Sequence, residues 1–217
     1  MTAVGVLGLA LTGSLGSRPA LGQPGLGWVL WGGGASRGVW AGMTAGMMGG
    51  GPAAWRTGRL VDRAGLQNLV REGEAGVQIN RKTNTVRYPG RSAMIVALAS
   101  PHGKPDMTWE IDGLVNPTLV VRAGARLTVT LVNADWGYLH GFELTPTPPP
   151  YPFMAMMSIA NWFVMPPLPE RTTKSLATAR YYSESAGLTV SSGVYYYLCP
   201  VPGHAQQGMY GRLVVTA

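Results

Sequence analysis

The feature that most constrains the fold is a series of short apolar runs, separated by turns, from residue 92 onwards. In residues 126–133, RLTVTLVN, Leu127, Val129 and Leu131 alternate with threonines, which is the period of a half-buried strand. Glycine (31) and proline (17) are frequent among the 217 residues and favour turns over long helices. We therefore predict an all-β fold, with strands at 92–99, 107–111, 118–122, 126–133, 140–144, 193–198 and 211–216.

One short helix is predicted before these strands, from Arg63 to Glu72. Leu66, Leu69 and Val70 share one face of it, and Asp62 precedes it as an N-cap. We expect this helix to cover one end of the β body.

The structure of two connections between the strands can also be predicted. The link 122–126, RAGAR, has a glycine available for positive φ, so we expect the strands on either side of it to form a hairpin. The segment 145–170 is too proline-rich for a central strand, and we expect an apolar loop that plugs one end of the sandwich and packs Phe153, Trp162 and Phe163.

The N-terminal part of the chain divides into two segments before the β domain at 60–217. Residues 1–22 begin with an apolar, uncharged run and end in Ala-Leu-Gly, which is typical of a cleaved secretory leader. Residues 23–59 are rich in Gly, Met and Trp, which predicts a linker. The uncharged stretch 38–55 is long enough to span a bilayer, but its glycines disfavour insertion, and we expect no membrane anchor.

The net charge of +7 reflects a scarcity of acids, since ten Asp and Glu stand against 17 Lys and Arg. The arginines are scattered singly, which excludes the concentrated basic segment of a nucleic-acid binder. Few carboxylates also means few ion pairs to lose on protonation, a composition that suits an acidic environment.

A soft metal site is indicated near the C-terminus. The only cysteine, Cys199, is followed five residues later by His204 and ten residues later by Met209, and a disulfide within the chain is excluded. Thiolate, imidazole and thioether are donors of a blue-copper centre, which needs a second histidine. His140 stands at a strand end and His102 in the polar turn SPHGKPD; we choose His140, against the alternative that it is a histidine of the core.

Several motifs resemble the rusticyanins, the blue-copper proteins of acid-dwelling iron-oxidising bacteria. They are NPTL with the AGA that follows it, HGFEL, and YYYLCPVPGHAQQGMYGRLVV, and the resemblance spans about residues 60–217. It implies a cupredoxin-like Greek-key β-sandwich with one type 1 copper, held by His140, Cys199, His204 and the axial Met209. Two residues depart from the family pattern: Gly141 stands where the family has serine, and Pro200 directly follows the cysteine.

The expected function is a periplasmic or otherwise extracytoplasmic one-electron carrier in an iron-oxidising respiratory chain. We expect no catalytic residues, because four protein ligands leave no position for a substrate. We expect a monomer that docks redox partners such as c-type cytochromes at an apolar patch formed by Pro200, Val201 and Pro202 beside the outer ring edge of His204. The alternative is a chaperone that passes Cu(I) along methionines, namely Met43, Met47, Met48, Met154, Met156 and Met157.

Overall fold

The computed structural model describes residues 58–217. The predicted leader, nearly all of the predicted linker and the methionines at 43, 47 and 48 lie outside the described residues. None of the helices within residues 58–217 is long and apolar enough to cross a membrane.

Within residues 58–217, thirteen strands form two sheets that pack face to face. The six-stranded sheet has the order β1-β11-β8-β4-β5-β6, built from β1 (Arg59–Val61), β4 (Ser92–Ala99), β5 (Trp109–Ile111), β6 (Leu114–Val115), β8 (Arg126–Asn133) and β11 (Tyr181–Thr189). The seven-stranded sheet has the order β10-β9-β12-β13-β7-β3-β2, built from β2 (Gln78–Asn80), β3 (Thr85–Arg87), β7 (Thr118–Arg122), β9 (His140–Thr145), β10 (Phe163–Leu168), β12 (Gly193–Leu198) and β13 (Tyr210–Thr216). The predicted all-β sandwich is confirmed.

The strand β8 is buried on both faces, not on one. Leu127, Val129 and Leu131 point into the core between the sheets, as their alternation predicts. Thr130 on the opposite face is also buried, and its hydroxyl lies 2.8 Å from that of Ser185 on β11. The half-buried interpretation was wrong because β8 is central in its sheet and its outer face is itself covered.

The helix α1 (Arg63–Gly73) provides that cover. It begins as predicted, with the Asp62 side chain accepting a hydrogen bond of 2.8 Å from the amide of Gly65. Its apolar face packs on β4 and its neighbours, so the helix lies on the outer face of the six-stranded sheet and not at an end of the body.

The predicted hairpin at residues 122–126 does not form. The turn is present, with Gly124 at φ +71° and a hydrogen bond of 3.2 Å from the Ala125 amide to the Arg122 carbonyl. However, β7 pairs with β13 and β3, whereas β8 pairs with β4 and β11. The turn therefore carries the chain from one sheet to the other, because both strands find longer-range partners.

The proline-rich segment 145–170 is only partly a loop. It contains a short helix α2 (Ala155–Ser158) and the edge strand β10, where Pro166 and Pro167 coincide with a shift in register. An edge strand tolerates proline because one side of it needs no ladder hydrogen bonds. Phe163 packs in the core as expected, but Phe153 is 58% exposed.

Candidate metal centre

Three of the four predicted ligands converge on one buried point. Cys199 Sγ lies 3.7 Å from His140 Nδ1 and 3.4 Å from His204 Nδ1, and the two nitrogens are 3.2 Å apart. His140 and Cys199 are fully buried and His204 is 4% exposed. The predicted fourth ligand, Met209, is fully buried at the closing end of the same loop.

The two neighbouring strands β9 and β12 position this triangle. His140 is the first residue of β9 and Cys199 follows the last residue of β12, so each strand places one predicted ligand at its end. The ligand loop (residues 199–209) then folds back on itself. The Cys199 amide donates to the Met209 carbonyl (3.1 Å), and the Met209 amide donates to the His204 carbonyl (3.0 Å).

The size and chemistry of the triangle fit a copper ion. A nearly equilateral triangle with edges of 3.2–3.7 Å has its centre about 2 Å from each corner, which is a usual bond length from a metal to nitrogen or sulfur. Two imidazoles and one thiolate in a plane are the equatorial donors of a type 1 copper site. His102, the histidine that was not chosen as a ligand, lies exposed in a turn and outside this cluster.

The electrostatics of the site favour a bound cation. Burial raises the pKa of the Cys199 thiol to about 12, although the Val201 and Gly141 amides donate hydrogen bonds to the sulfur and act in the opposite direction. Burial and the neighbouring His140 lower the pKa of His204 to about 4. In this buried site the Cys199 sulfur keeps its proton unless a positive ion takes the place of that proton and compensates the thiolate charge.

Asp135 contacts the His140 ring on the side away from the triangle, and this residue was not identified from the sequence. Its carboxylate lies 2.8 Å from His140 Nε2 and orients the ring so that Nδ1 faces the triangle. The backbone around it is held by Arg171, whose amide donates to the Asp135 carbonyl and whose Nη1 donates to the Ala134 carbonyl. A single Asp five residues before a histidine has no periodic signal, so only the fold reveals the contact.

The two departures from the family pattern prove to be linked in space. A Cβ atom on Gly141 would lie 2.9 Å from Pro200 Cγ and 2.9 Å from the Met165 carbonyl oxygen. Both distances are shorter than a normal contact, so this chain has no room for a serine side chain at position 141 while Pro200 and β10 keep their places.

Glu143 is a second buried carboxyl group near the centre that the sequence did not single out. It lies on β9 between Leu198 of β12 and Val164 of β10, it is 0% exposed, and neither of its oxygens has a hydrogen-bond partner within residues 58–217. Burial raises its pKa to about 7.

The surface beside His204 is apolar. Of the residues predicted to form it, Val201 and Pro202 are half-buried and Pro200 is buried. Trp136, Tyr138 and Leu139 from the β8–β9 link are exposed, as is Phe153 in the segment before α2. We call these four residues, three aromatic side chains and one leucine, the aromatic rim. The Tyr138 ring meets the His204 ring edge-on with centroids 5.8 Å apart, so the imidazole is nearly covered and does not present a broad edge to solvent.

Comparisons with known proteins point to one family. No protein-family model matches the chain. The rusticyanin of Acidithiobacillus ferrooxidans is 34% identical over 133 residues, which is 61% of this chain and 67% of the relative. A second rusticyanin sequence from that species is 32% identical and matched over 81% of its length.

Solved structures show the same fold. Reduced rusticyanin at 1.9 Å superposes with a TM-score of 0.65 and 29% identity, covering 73% of this chain and 99% of that one. A 2.1 Å structure of the copper protein rusticyanin has a TM-score of 0.66 and 26% identity, covering 74% and 98%. The chain therefore belongs to the rusticyanin family, blue-copper electron carriers with the cupredoxin fold and one type 1 copper.

Proposed function

We propose that His140, Cys199 and His204 bind the copper in one plane, that Met209 is the axial ligand, and that the protein carries single electrons between partner proteins outside the cytoplasm. The observation that carries the proposal is the buried triangle of two Nδ1 atoms and one Sγ, with edges of 3.2–3.7 Å. The bound copper supplies the chemistry by alternating between Cu(I) and Cu(II).

The protein residues keep this exchange fast and confined to one electron. The Gly141 and Val201 amides hold the sulfur, Asp135 holds His140, and the buried site excludes water. Ligands that are fixed by the fold need little rearrangement when the charge of the ion changes. Apolar burial also disfavours the more highly charged ion and raises the reduction potential, as a carrier that accepts electrons from iron would require.

A carrier, not an enzyme, is the function that this donor set supports. Four protein ligands leave no coordination position for a substrate, and His102, the one histidine left over, is exposed in a turn. We therefore propose that the protein has no catalytic residues of its own.

The aromatic rim is the docking surface that we propose for the redox partner. Two of its rings lie beside His204, since Tyr138 meets the imidazole and Phe153 lies against Gly203, and exposed aromatic rings allow close, weak and rapidly reversible contact. A c-type cytochrome is a partner of this kind. We propose that the carrier itself acts as a monomer.

An acidic, extracytoplasmic setting is the environment that we propose, with residues 1–22 as leader, 23–59 as linker and 60–217 as copper domain. Burial raises the pKa values of Asp112, Glu143 and Glu184, so these groups hold protons more tightly in the folded protein than in the unfolded chain. These three groups therefore favour folding below neutral pH, whereas the lowered pKa of His204 acts in the opposite direction in the copper-free protein. This fits the respiratory chain of an acid-dwelling iron oxidiser.

Copper transfer to another protein is the second candidate function. It is favoured by two exposed methionines, Met154 and Met157, on the segment that lies beside the ligand loop. Thioethers bind Cu(I), and a chaperone must give its ion away.

The visible spectrum of the purified protein titrated with Cu(II) decides between the two. A carrier develops one intense thiolate-to-copper band that saturates at one equivalent, whereas a colourless complex would support the chaperone. We expect Cys199→Ser to abolish the band, because a hydroxyl cannot supply the charge transfer, and His102→Ala to preserve it. Loss of the band in His102→Ala would contradict the ligand set.

A further inference from the structure

The motif NPTL, residues 116–119, contributes no metal ligand, yet its asparagine reaches the ligand loop. We propose that Asn116 and Trp109 are positioning residues that fix the backbone of Met209 and so set the distance of the axial ligand from the copper. This inference rests on the proposed assignment of Met209 as that ligand.

Asn116 bridges two separate segments of the chain with its side-chain amide. Its Oδ1 accepts a hydrogen bond of 2.8 Å from the Trp109 amide, and its Nδ2 donates one of 3.0 Å to the Gly208 carbonyl. Its own amide donates to the Trp109 carbonyl (2.8 Å). Asn116 is therefore tied to Trp109 by both its backbone and its side chain, and it holds the residue just before Met209.

Trp109 makes the second link, directly to Met209. Its indole Nε1 donates a hydrogen bond of 3.3 Å to the Met209 carbonyl, which also accepts the Cys199 amide. The indole is fully buried and packs edge-on against Phe142, with ring centroids 5.5 Å apart. One carbonyl thus joins two proposed ligands to a side chain that the core holds in place.

These contacts fix two successive carbonyl groups at the end of the ligand loop. Gly208, at φ +108°, would otherwise allow the backbone to turn freely at this point. A further bond ties the NPTL motif to β12, the strand that leads into the ligand loop: the Tyr197 hydroxyl donates to the Pro117 carbonyl at 2.6 Å. Since the axial thioether is the weakest and most distant ligand, its position depends on such external support more than that of the thiolate does.

The test compares Asn116→Gly with Asn84→Gly in the copper-loaded protein. Both asparagines have left-handed φ angles, 46° and 47°, which glycine adopts without strain. Asn84 also donates side-chain hydrogen bonds to backbone carbonyls, those of Val115 and Asn116, and neither of these residues belongs to the ligand loop. Trp109→Phe, which removes the indole N–H and keeps an aromatic ring, serves as a second variant.

We expect Asn116→Gly and Trp109→Phe to change the intensity ratio of the copper bands and the reduction potential. We also expect transfer of Cu(I) to a chelator to accelerate about fivefold in Asn116→Gly, the factor that corresponds to one neutral hydrogen bond. Asn84→Gly should match the unmutated protein in all three measurements. Equal values in Asn116→Gly and Asn84→Gly would overturn the positioning role.

Met209→Leu separates failure of this inference from failure of the ligand set. If Met209→Leu changes the band ratio while Asn116→Gly does not, Met209 is a ligand whose position does not depend on the hydrogen bonds of Asn116. If Met209→Leu itself leaves the band ratio and the potential unchanged, the axial assignment is wrong and the inference falls with it.

Discussion

The substitution Glu143→Gln should remove a large part of the pH dependence of folding stability. The Glu143 carboxyl is fully buried, and neither oxygen has a hydrogen-bond partner within residues 58–217. Water stabilises a carboxylate far better than this apolar site does, so burial raises the pKa from 4.5 to about 7. The folded protein therefore binds this proton more tightly than the unfolded chain.

The size of the effect on the free energy of unfolding follows from the pKa shift of Glu143. One pKa unit corresponds to about 1.4 kcal/mol, so a rise from 4.5 to about 7 is linked to about 3 kcal/mol of unfolding free energy. Because the folded pKa of Glu143 is the higher one, this contribution is fully present below pH 4.5 and is lost as the pH rises through about 7. The amide of glutamine does not titrate, so the stability of the variant lacks this dependence on pH.

Urea unfolding of the copper-free proteins at about pH 4 and pH 8 measures the effect without coupling to metal release. The variant should be about as stable as the unmutated protein at pH 4, where the buried carboxyl is neutral like the amide, and about 3 kcal/mol more stable at pH 8, where the unmutated protein bears the cost of a buried charge. His204, Glu184 and Asp112 titrate equally in both proteins and cancel in the comparison. A difference in stability that is the same at both pH values would refute a raised pKa of Glu143.

Two further predictions concern the contacts around the ligands. Gly141→Ser should cost about 1–3 kcal/mol in urea unfolding, because its Cβ would meet Pro200 Cγ and the Met165 carbonyl oxygen, both at 2.9 Å. The cost should be smaller in a Pro200→Ala background, and strictly additive costs would contradict the steric link. Phe153→Ala should speed Cu(I) transfer to a chelator, because the Phe153 ring packs on Gly203, the neighbour of His204. Met157→Ala, which truncates a residue that is 72% exposed on the same segment, is the matched control, and equal rates would exclude a role for the ring.

The local sequence was sufficient for the elements that depend on local pattern. The alternation of Leu127, Val129 and Leu131 predicted a strand and its core face, and Asp62 with three apolar residues predicted the helix start. The spacing of Cys199, His204 and Met209 predicted a soft-metal loop for the same reason, since these residues are near neighbours in the chain. Such signals are readable because they arise from backbone periodicity and short-range chemistry.

Sheet partners and supporting contacts were decided only by the tertiary structure. The turn at residues 122–126 was predicted correctly. The sheet that each flanking strand joins, however, depends on partners far away in the chain. The contacts of Asp135 with His140 and of Trp109 with Met209 likewise join residues that share no periodic pattern, the latter pair 100 positions apart. Burial of Glu143 became visible only when strands β10 and β12 were placed on either side of it. The residue types that suit copper chemistry can therefore be recognised from the sequence. The distances between them and their desolvation, which tune this chemistry, arise from packing between distant segments.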